Sequence, residues 1–133
     1  MIDLYTWATP NGRKISILLE EINTPYSIHP VNIIENEQFS DEFSRIAPSN
    51  KIPAIIDRDN GQSIFESGAI MMYLAKKHNQ FLSQKHYLQI MEWLIFQLSQ
   101  VGPVLGQAHQ FLYYHPNQSE FVEKKYIDYT KRI

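Results

Sequence analysis

The residues at positions 9–12 (TPNG) lie where a predicted strand gives way to a predicted helix. A helix N-terminus presents unpaired backbone N–H groups and the positive end of the helix dipole, which together suit a thiolate or another anion. Thr9 and Asn11 are therefore candidates for contact with a charged group. Each could instead simply cap the helix, and for this segment taken alone the cap is the better interpretation.

A second candidate segment, residues 50–54 (NKIPA), places a proline at the start of a predicted strand. Pro53 in that position leaves the backbone of the preceding Ile52 free for an extended ligand to pair with. The alternative is a proline that only marks the beginning of the strand, with the trans peptide bond that is the default before proline. Periodicity alone does not separate these two interpretations.

A third candidate pair, Glu66 and Ser67, begins another predicted helix. Ser67 can offer its hydroxyl and its backbone N–H to a carboxylate, and Glu66 can accept a hydrogen bond from an ammonium group. Together they would hold the two charged ends of an amino acid. The alternative is a plain N-cap with an acidic residue placed favourably beside the helix dipole.

Other kinds of chemistry find little support in the chain. There are no cysteines, which excludes structural disulfides, zinc–thiolate sites and a cysteine nucleophile of the protein's own. Neither a glycine-rich phosphate loop nor a Ser-His-Asp arrangement is visible. The histidines show no recognised metal spacing, so we expect surface or packing roles for all five: His29, His78, His86, His109 and His115.

The composition indicates a soluble globular protein. The chain has 133 residues, of which 44% are apolar and 20% are charged, so extensive disorder is excluded. The net charge is −2 and the basic residues are scattered, which argues against nucleic acid or an anionic membrane as the main partner. The first residues lack the features of a signal peptide, and no apolar run approaches the roughly 20 residues of a membrane span. We therefore expect a cytoplasmic protein.

The hydrophobic pattern predicts that the elements that carry these candidates form one α/β domain. Strands are expected at residues 2–5 and 26–31, with an amphipathic helix from position 12 to 22 between them. A weak helix is predicted over 38–46. Asn60-Gly61 is a strong hairpin signal between two further strands, and a helix then runs to about His78. The order β-α-β-α-β-β-α favours a mixed four-stranded sheet with a parallel βαβ unit and helices on both faces.

The remainder of the chain is predicted to be helical only. A linker at 79–84 separates a domain over 1–78 from helices over 85–133, and Gly102-Pro103 should kink the first of these. Trp93, Ile95 and Phe96 make this helix apolar on more than one face. Two helices do not easily bury so much apolar surface, so we expect that either a partner chain covers it or the rest of the domain is missing.

Three segments in this order, TPNGRK at 9–14, NKIPAIID at 50–57 and FESGAIMMYLAKK at 65–77, resemble the N-terminal domain of cytosolic glutathione transferases. The opening MIDLYTWATPNG, the pair Gln38-Phe39 and GPVLGQAHQF at 102–111 are similar to the nu-class branch. That branch comprises bacterial relatives of the fungal prion-forming nitrogen regulator, and its members act as glutathione-dependent disulfide-bond reductases.

The resemblance implies a thioredoxin-like domain over 1–78, a partial all-helical domain, and a cis peptide bond between Ile52 and Pro53. It implies glutathione as co-substrate, no metal, small disulfide or electrophilic second substrates, and a homodimer. Thr9 and Asn11 would be catalytic and face the sulfur, with Tyr5 as a rival activator because other classes use a tyrosine near the first strand. The implied glutathione-binding residues are Asn11, Gln38, Lys51, Ile52, Pro53, Glu66, Ser67 and Lys125.

Two departures from the family leave alternatives open. The family's helical domain continues beyond the last residue here. In addition, Lys125 stands where close relatives place an arginine, and only arginine can make a bidentate pair of hydrogen bonds with a carboxylate. The alternatives to an enzyme are a regulatory or scaffold protein that binds glutathione without turnover, and a truncated inactive form.

Overall fold

The computed structural model describes all 133 residues and divides the chain into two compact units, residues 1–83 and 84–133. The division falls inside the predicted linker at 79–84. The two units are described separately below.

The first unit has the predicted element order. It is built from β1 (Ile2–Thr6), α1 (Pro10–Glu21), β2 (Tyr26–Pro30), a 3₁₀ turn (Glu37–Phe39), α2 (Asp41–Ile46), β3 (Ala54–Asp57), β4 (Gln62–Phe65) and α3 (Ser67–His78).

The four strands form one mixed sheet in the order β2-β1-β3-β4. β1 and β2 are parallel, and the other two pairings are antiparallel. The hairpin between β3 and β4 turns at Asn60 and Gly61, and Gly61 has the left-handed φ of +72° that glycine adopts without a steric cost. The predicted α/β fold, its parallel βαβ unit and its hairpin are thereby confirmed.

Both faces of the sheet are covered, because each strand alternates its side chains between them. On one face, α1 and α3 bury Ile15, Leu19, Ile70 and Leu74 against Leu4 of β1. On the opposite face, α2 packs against the sheet, and the buried cluster there consists of Val31, Phe43, Ile46, Ala47 and Ala54.

Two helix boundaries differ from the prediction for identifiable reasons. α1 begins at Pro10 rather than at Gly12, because a proline fits the first helical turn, where its missing N–H is not needed. The single weak helix predicted over 38–46 is divided at Ser40, whose Oγ accepts a hydrogen bond from the Phe43 N–H at 3.2 Å and so starts α2 anew.

The second unit is helical throughout. Its segments are a 3₁₀ turn (Gln84–His86), α4 (Tyr87–Phe96), a π-helical segment (Gln97–Val101), α5 (Gly102–His109), a second π-helical segment (Gln110–Tyr114) and α6 (Glu120–Thr130). The first π-helical segment ends two residues before Pro103. Since proline cannot donate to the carbonyl one turn earlier, the hydrogen-bond ladder changes there.

Apolar side chains of the second unit remain largely exposed. Ala108 is its only buried residue, whereas Trp93 and Ile95 of α4 are 66% and 59% exposed. The excess of apolar surface predicted from the sequence is therefore present. None of the helices combines the length and apolar character needed to cross a membrane.

Candidate active site

The three candidate segments meet at one edge of the sheet. Tyr5 of β1 pairs with Ala54 of β3, which in turn pairs with Phe65 of β4, so these residues form a row across the sheet. The chain leaves β1 and β4 and enters β3 at this row. Residues 9–12, 50–53 and 66–67 therefore all lead away from the same edge. β2 ends there too, because its Pro30 pairs with Thr6, and the chain then continues to Gln38.

The first turn of α1 is capped, yet it still has N–H and O–H groups that can donate hydrogen bonds to a ligand. Thr9 is the N-cap, and its Oγ1 accepts a hydrogen bond from the Gly12 N–H at 3.3 Å. A hydroxyl that accepts in this way retains its own hydrogen for another acceptor. Pro10 has no N–H, and the N–H of the exposed Asn11 has no partner within the helix. The cap and the anion-binding interpretations of this segment are thus compatible.

Gly12 lets α1 approach the end of β1 closely. A Cβ at this position would lie 2.6 Å from the carbonyl oxygen of Trp7 and would also overlap the Thr6 hydroxyl. Only glycine fits such a contact without displacing the backbone. The start of α1 is therefore fixed directly against the sheet edge.

Tyr5 lies on the other face of the sheet from α1. Its ring stacks on His29, with 4.7 Å between ring centroids, and lies 6.3 Å from the ring of Phe43 in α2. Burial, reinforced by the negative charges of Asp3 and Glu42, raises the pKa of the Tyr5 phenol. This position leaves Thr9 and Asn11, rather than Tyr5, beside the start of α1.

The Ile52–Pro53 peptide bond is cis. Pro53 is buried and Ile52 is half-buried, and β3 begins only at Ala54. Neither the N–H nor the C=O of Ile52 is hydrogen-bonded within the chain. These two groups are available to an extended peptide-like ligand, and the exposed Lys51 precedes them.

The start of α3 differs from a plain N-cap. The cap position is occupied by Glu66, whose side chain makes no capping hydrogen bond, and Ser67 is the first helical residue. No side chain therefore satisfies the N–H groups of the first turn of α3. Glu66 also has a left-handed φ of +68°, an uncommon and costly conformation for a residue with a Cβ. Ser67 is buried, with 7% of its surface exposed.

The family resemblance identified Gln38 and the second candidate segment includes Asn50, but the contact between these two residues was not predicted. The backbone oxygen of Gln38 accepts a hydrogen bond from Asn50 Nδ2 at 2.9 Å, and the side-chain Oε1 of Gln38 is buried without a partner. No periodicity or motif in the sequence signals this contact, because Asn50 lies 12 residues from Gln38 and the acceptor is a backbone oxygen, which any residue type offers.

Lys125 belongs to the second unit. Its Nζ lies 5.6 and 5.9 Å from the ring centroids of Tyr129 and Tyr126, so its observed contacts are with aromatic side chains of its own helix, α6. The other predicted site residues all belong to the first unit.

Histidines of the first unit have polar partners. His29 Nε2 lies 2.7 Å from Asp3 Oδ1, and His78 Nε2 lies 3.1 Å from the Thr24 hydroxyl. No group of three or more His, Cys, Asp or Glu side chains is arranged to hold a metal ion.

Residues 1–76 match the family model of the glutathione S-transferase N-terminal domain. The chain belongs to the glutathione S-transferase family. The thioredoxin-like domain implied by the resemblance is thereby confirmed for the first unit.

Individual members of the family are similar over nearly the whole chain. The disulfide-bond oxidoreductase YfcG of Escherichia coli is 43% identical over 140 residues, an alignment that covers 100% of this chain and 65% of that protein. A Pseudomonas putida glutathione transferase crystallised with one glutathione disulfide per subunit is 40% identical with a TM-score of 0.90, over 98% of this chain and 60% of that one. A Burkholderia graminis glutathione transferase with two glutathione molecules per subunit is 38% identical with a TM-score of 0.92, over 98% of this chain and 58% of that one. The chain thus spans about two-thirds or less of the length of these relatives.

Proposed function

We propose that this chain binds glutathione at the sheet edge and that the protein is a glutathione-dependent disulfide-bond oxidoreductase. The observation that carries the proposal is the convergence on one edge of two helix N-termini with unpaired amides, α1 and α3, and the free backbone of Ile52. A tripeptide with a thiol, an extended backbone and a terminal amino acid matches these three features in turn.

Each part of glutathione has a partner in this proposal. The cysteinyl backbone pairs with the N–H and C=O of Ile52. The γ-glutamyl carboxylate accepts hydrogen bonds from Ser67 and the first-turn amides of α3, and its ammonium group binds Glu66. Gln38 and Lys51 complete the site.

The reactive group is the thiolate of bound glutathione, because the chain has no cysteine of its own. A free cysteine thiol has a pKa of about 8.5, and a helix N-terminus lowers it. The start of α1 would stabilise the thiolate through its dipole and through hydrogen bonds from the Thr9 hydroxyl and Asn11. No general base is required if the proton leaves to solvent.

Disulfide reduction then balances with two glutathione molecules. The first thiolate attacks one sulfur of the substrate disulfide, that S–S bond breaks, and the departing thiolate takes a proton. A second glutathione thiolate attacks the glutathione sulfur of the mixed disulfide and releases the other substrate thiol. Two glutathione thiols are oxidised to one glutathione disulfide. The two glutathiones per subunit of the Burkholderia graminis enzyme and the glutathione disulfide of the Pseudomonas putida enzyme support this stoichiometry.

The proposal includes a cytoplasmic homodimer. Glutathione is kept reduced in the cytoplasm, which this reaction requires. The exposed apolar side chains of α4, Trp93 and Ile95 among them, support self-association through the second unit.

Glutathione binding and turnover are measured separately to test the proposal. Calorimetry gives the dissociation constant, and a small model disulfide is incubated with glutathione while glutathione disulfide formation is followed. A parallel assay replaces the disulfide with an electrophile. Binding with disulfide turnover supports the oxidoreductase. Binding without turnover would indicate a regulatory module, turnover of the electrophile alone would indicate a transferase, and absence of binding would exclude the site.

A further inference from the structure

The side-chain amide of Asn50 joins three segments that are separate in the sequence. Its Nδ2 donates to the backbone oxygen of Gln38 at 2.9 Å and to the Ser44 hydroxyl at 2.6 Å. Gln38 lies in the 3₁₀ turn after β2, Ser44 lies in α2, and Asn50 directly precedes residues 51–53. One side chain thus links two segments that are proposed to contact the same ligand.

The residue type at position 50 meets two requirements at once. The backbone there has a left-handed φ of +53°, which asparagine and glycine tolerate better than other residues. The two acceptors need two N–H donors on one short side chain, and a primary amide has two. Glycine satisfies only the first requirement, and ionised aspartate offers no donor.

The hydrogen bond from Asn50 matters for binding because Gln38 is one of the proposed glutathione-binding residues. Its Oε1 is buried and has no hydrogen-bond partner. An unmet buried acceptor is costly, so the placement of this side chain is sensitive to small shifts of its main chain. The reach of the Gln38 side chain depends on where its main chain is held, and Asn50 holds that main chain.

We infer that Asn50 is a positioning residue for glutathione, acting through Gln38 and residues 51–53 rather than by contact with the ligand. This role rests on the proposed glutathione site. The hydrogen bonds of Asn50 set the spacing between the two segments before the tripeptide arrives, so less ordering is needed on binding.

The test compares Asn50→Gly with a matched control, Asn79→Gly. Asn79, at the C-terminal end of α3, has the same φ of +53°. Both variants therefore place a glycine at a position with a left-handed φ, but only Asn50→Gly removes the hydrogen bond to Gln38. Asn50→Asp is measured in parallel, because it keeps the side-chain shape if Asn50→Gly folds poorly. Calorimetry gives the glutathione dissociation constant, and thermal unfolding reports on the fold.

We expect Asn50→Gly to raise the dissociation constant roughly three- to tenfold, in keeping with the loss of one or two hydrogen bonds, and Asn79→Gly to leave it within about twofold of the wild type. In a chain that already carries Gln38→Ala, Asn50→Gly should raise the dissociation constant much less than it does in the wild type, because the two residues act as one unit. In a chain that carries Ser67→Ala, Asn50→Gly should raise the dissociation constant by its full factor.

Three results would overturn the positioning role. Unchanged affinity of a folded Asn50→Gly variant does so and leaves the glutathione site standing. Equal losses of affinity in Asn50→Gly and Asn79→Gly would indicate general loosening of the backbone, and full additivity with Gln38→Ala would separate Asn50 from Gln38. A wild-type chain that binds no glutathione overturns the proposed function as well, so the two failures are distinguishable.

Discussion

Lys77 Nζ lies 2.5 Å from Oδ2 of the fully buried Asp57, and this ion pair ties the last turn of α3 to the end of β3. The same carboxylate accepts a hydrogen bond from the Tyr73 hydroxyl at 2.6 Å. β3 begins just after Ile52, and α3 begins at Ser67. The Asp57–Lys77 ion pair therefore joins the C-terminal ends of the two elements whose N-terminal ends are proposed to bind glutathione.

Asp57→Asn should destabilise the first unit by about 1–3 kcal/mol, because the lysine loses its buried anionic partner while the asparagine fills the same space. Lys77 is only partly buried and also contacts Asp59, which keeps the loss moderate. Urea unfolding followed by circular dichroism measures the change. Glu35→Gln, which removes an exposed carboxylate outside the helices and strands, is the control and should change stability by less than about 0.5 kcal/mol.

The stability of the chain should fall between about pH 4 and pH 2. Burial alone would raise the pKa of Asp57, but hydrogen bonds from Lys77, Tyr73 and the Asp59 N–H lower it to about 2. Hydrogen bonds from Arg58, and secondarily from His29, lower the pKa of Asp3 to about 2 as well, against the opposing effect of burial.

An unfolded aspartate has a pKa of about 3.9, so the stabilisation is complete above that pH and is lost as the pH falls through the folded value. For Asp57 the loss is on the order of 2 kcal/mol. Thermal unfolding at several pH values checks this, and Asp57→Asn should show a shallower decline than the wild type. An equally steep decline in the variant would contradict the assignment to Asp57.

Thr9→Ala and Asn11→Ala should each slow disulfide reduction, with Asn11 at least as important as Thr9. A hydrogen bond to a charged group contributes about 1.5–3 kcal/mol, or roughly ten- to a hundredfold in rate if it is made only in the transition state. Thr9→Ala also removes the cap on Gly12 and should lower stability by about 0.5–2 kcal/mol. Steady-state rates and unfolding curves separate the two effects.

Thr9→Ser keeps both the cap and the hydroxyl, so it should retain most of the activity. Tyr5→Phe serves as the comparison, because the Tyr5 ring lies on the face of the sheet opposite α1 and should contribute little to the rate. Full activity of both alanine variants with loss of activity in Tyr5→Phe would transfer the role to Tyr5.

Ser67→Ala should weaken glutathione binding more than it slows the chemical step, because the γ-glutamyl end lies away from the reacting sulfur. No side chain caps α3, so the lost hydroxyl is not a helix cap and stability should change little. Calorimetry of glutathione binding together with kcat of the variant measures the two effects. An unaltered dissociation constant would mean that Ser67 has no part in the site.

The local elements of this fold were predictable because their signals are local. The spacing of Ile15, Leu19 and Ile22 indicates α1, and Asn60-Gly61 indicates the hairpin. The candidate segments stand out for the same reason: each combines a strand end with a helix start or a proline.

Contacts that bridge distant positions escaped prediction. Asp57 and Lys77 lie on different elements, and Asn50 reaches Gln38 through a backbone oxygen, which any residue type offers. The π-helical segments were also missed, because a change from one hydrogen-bond ladder to another leaves the apolar spacing nearly intact.

The second unit should mediate dimerisation, and Ile95→Glu should disrupt it. Ile95 of α4 is 59% exposed, and a charged residue in an apolar interface is strongly unfavourable once it is buried. Ile17→Glu is a matched control, because Ile17 is a helical isoleucine of α1 that is 60% exposed in the first unit. Sedimentation equilibrium at low micromolar concentration should give a dimer for the wild type and for Ile17→Glu, and a monomer for Ile95→Glu. In a two-fold interface each substitution occurs twice, so the expected weakening of the dimer is large. A soluble wild-type monomer at this concentration would contradict the proposed dimer.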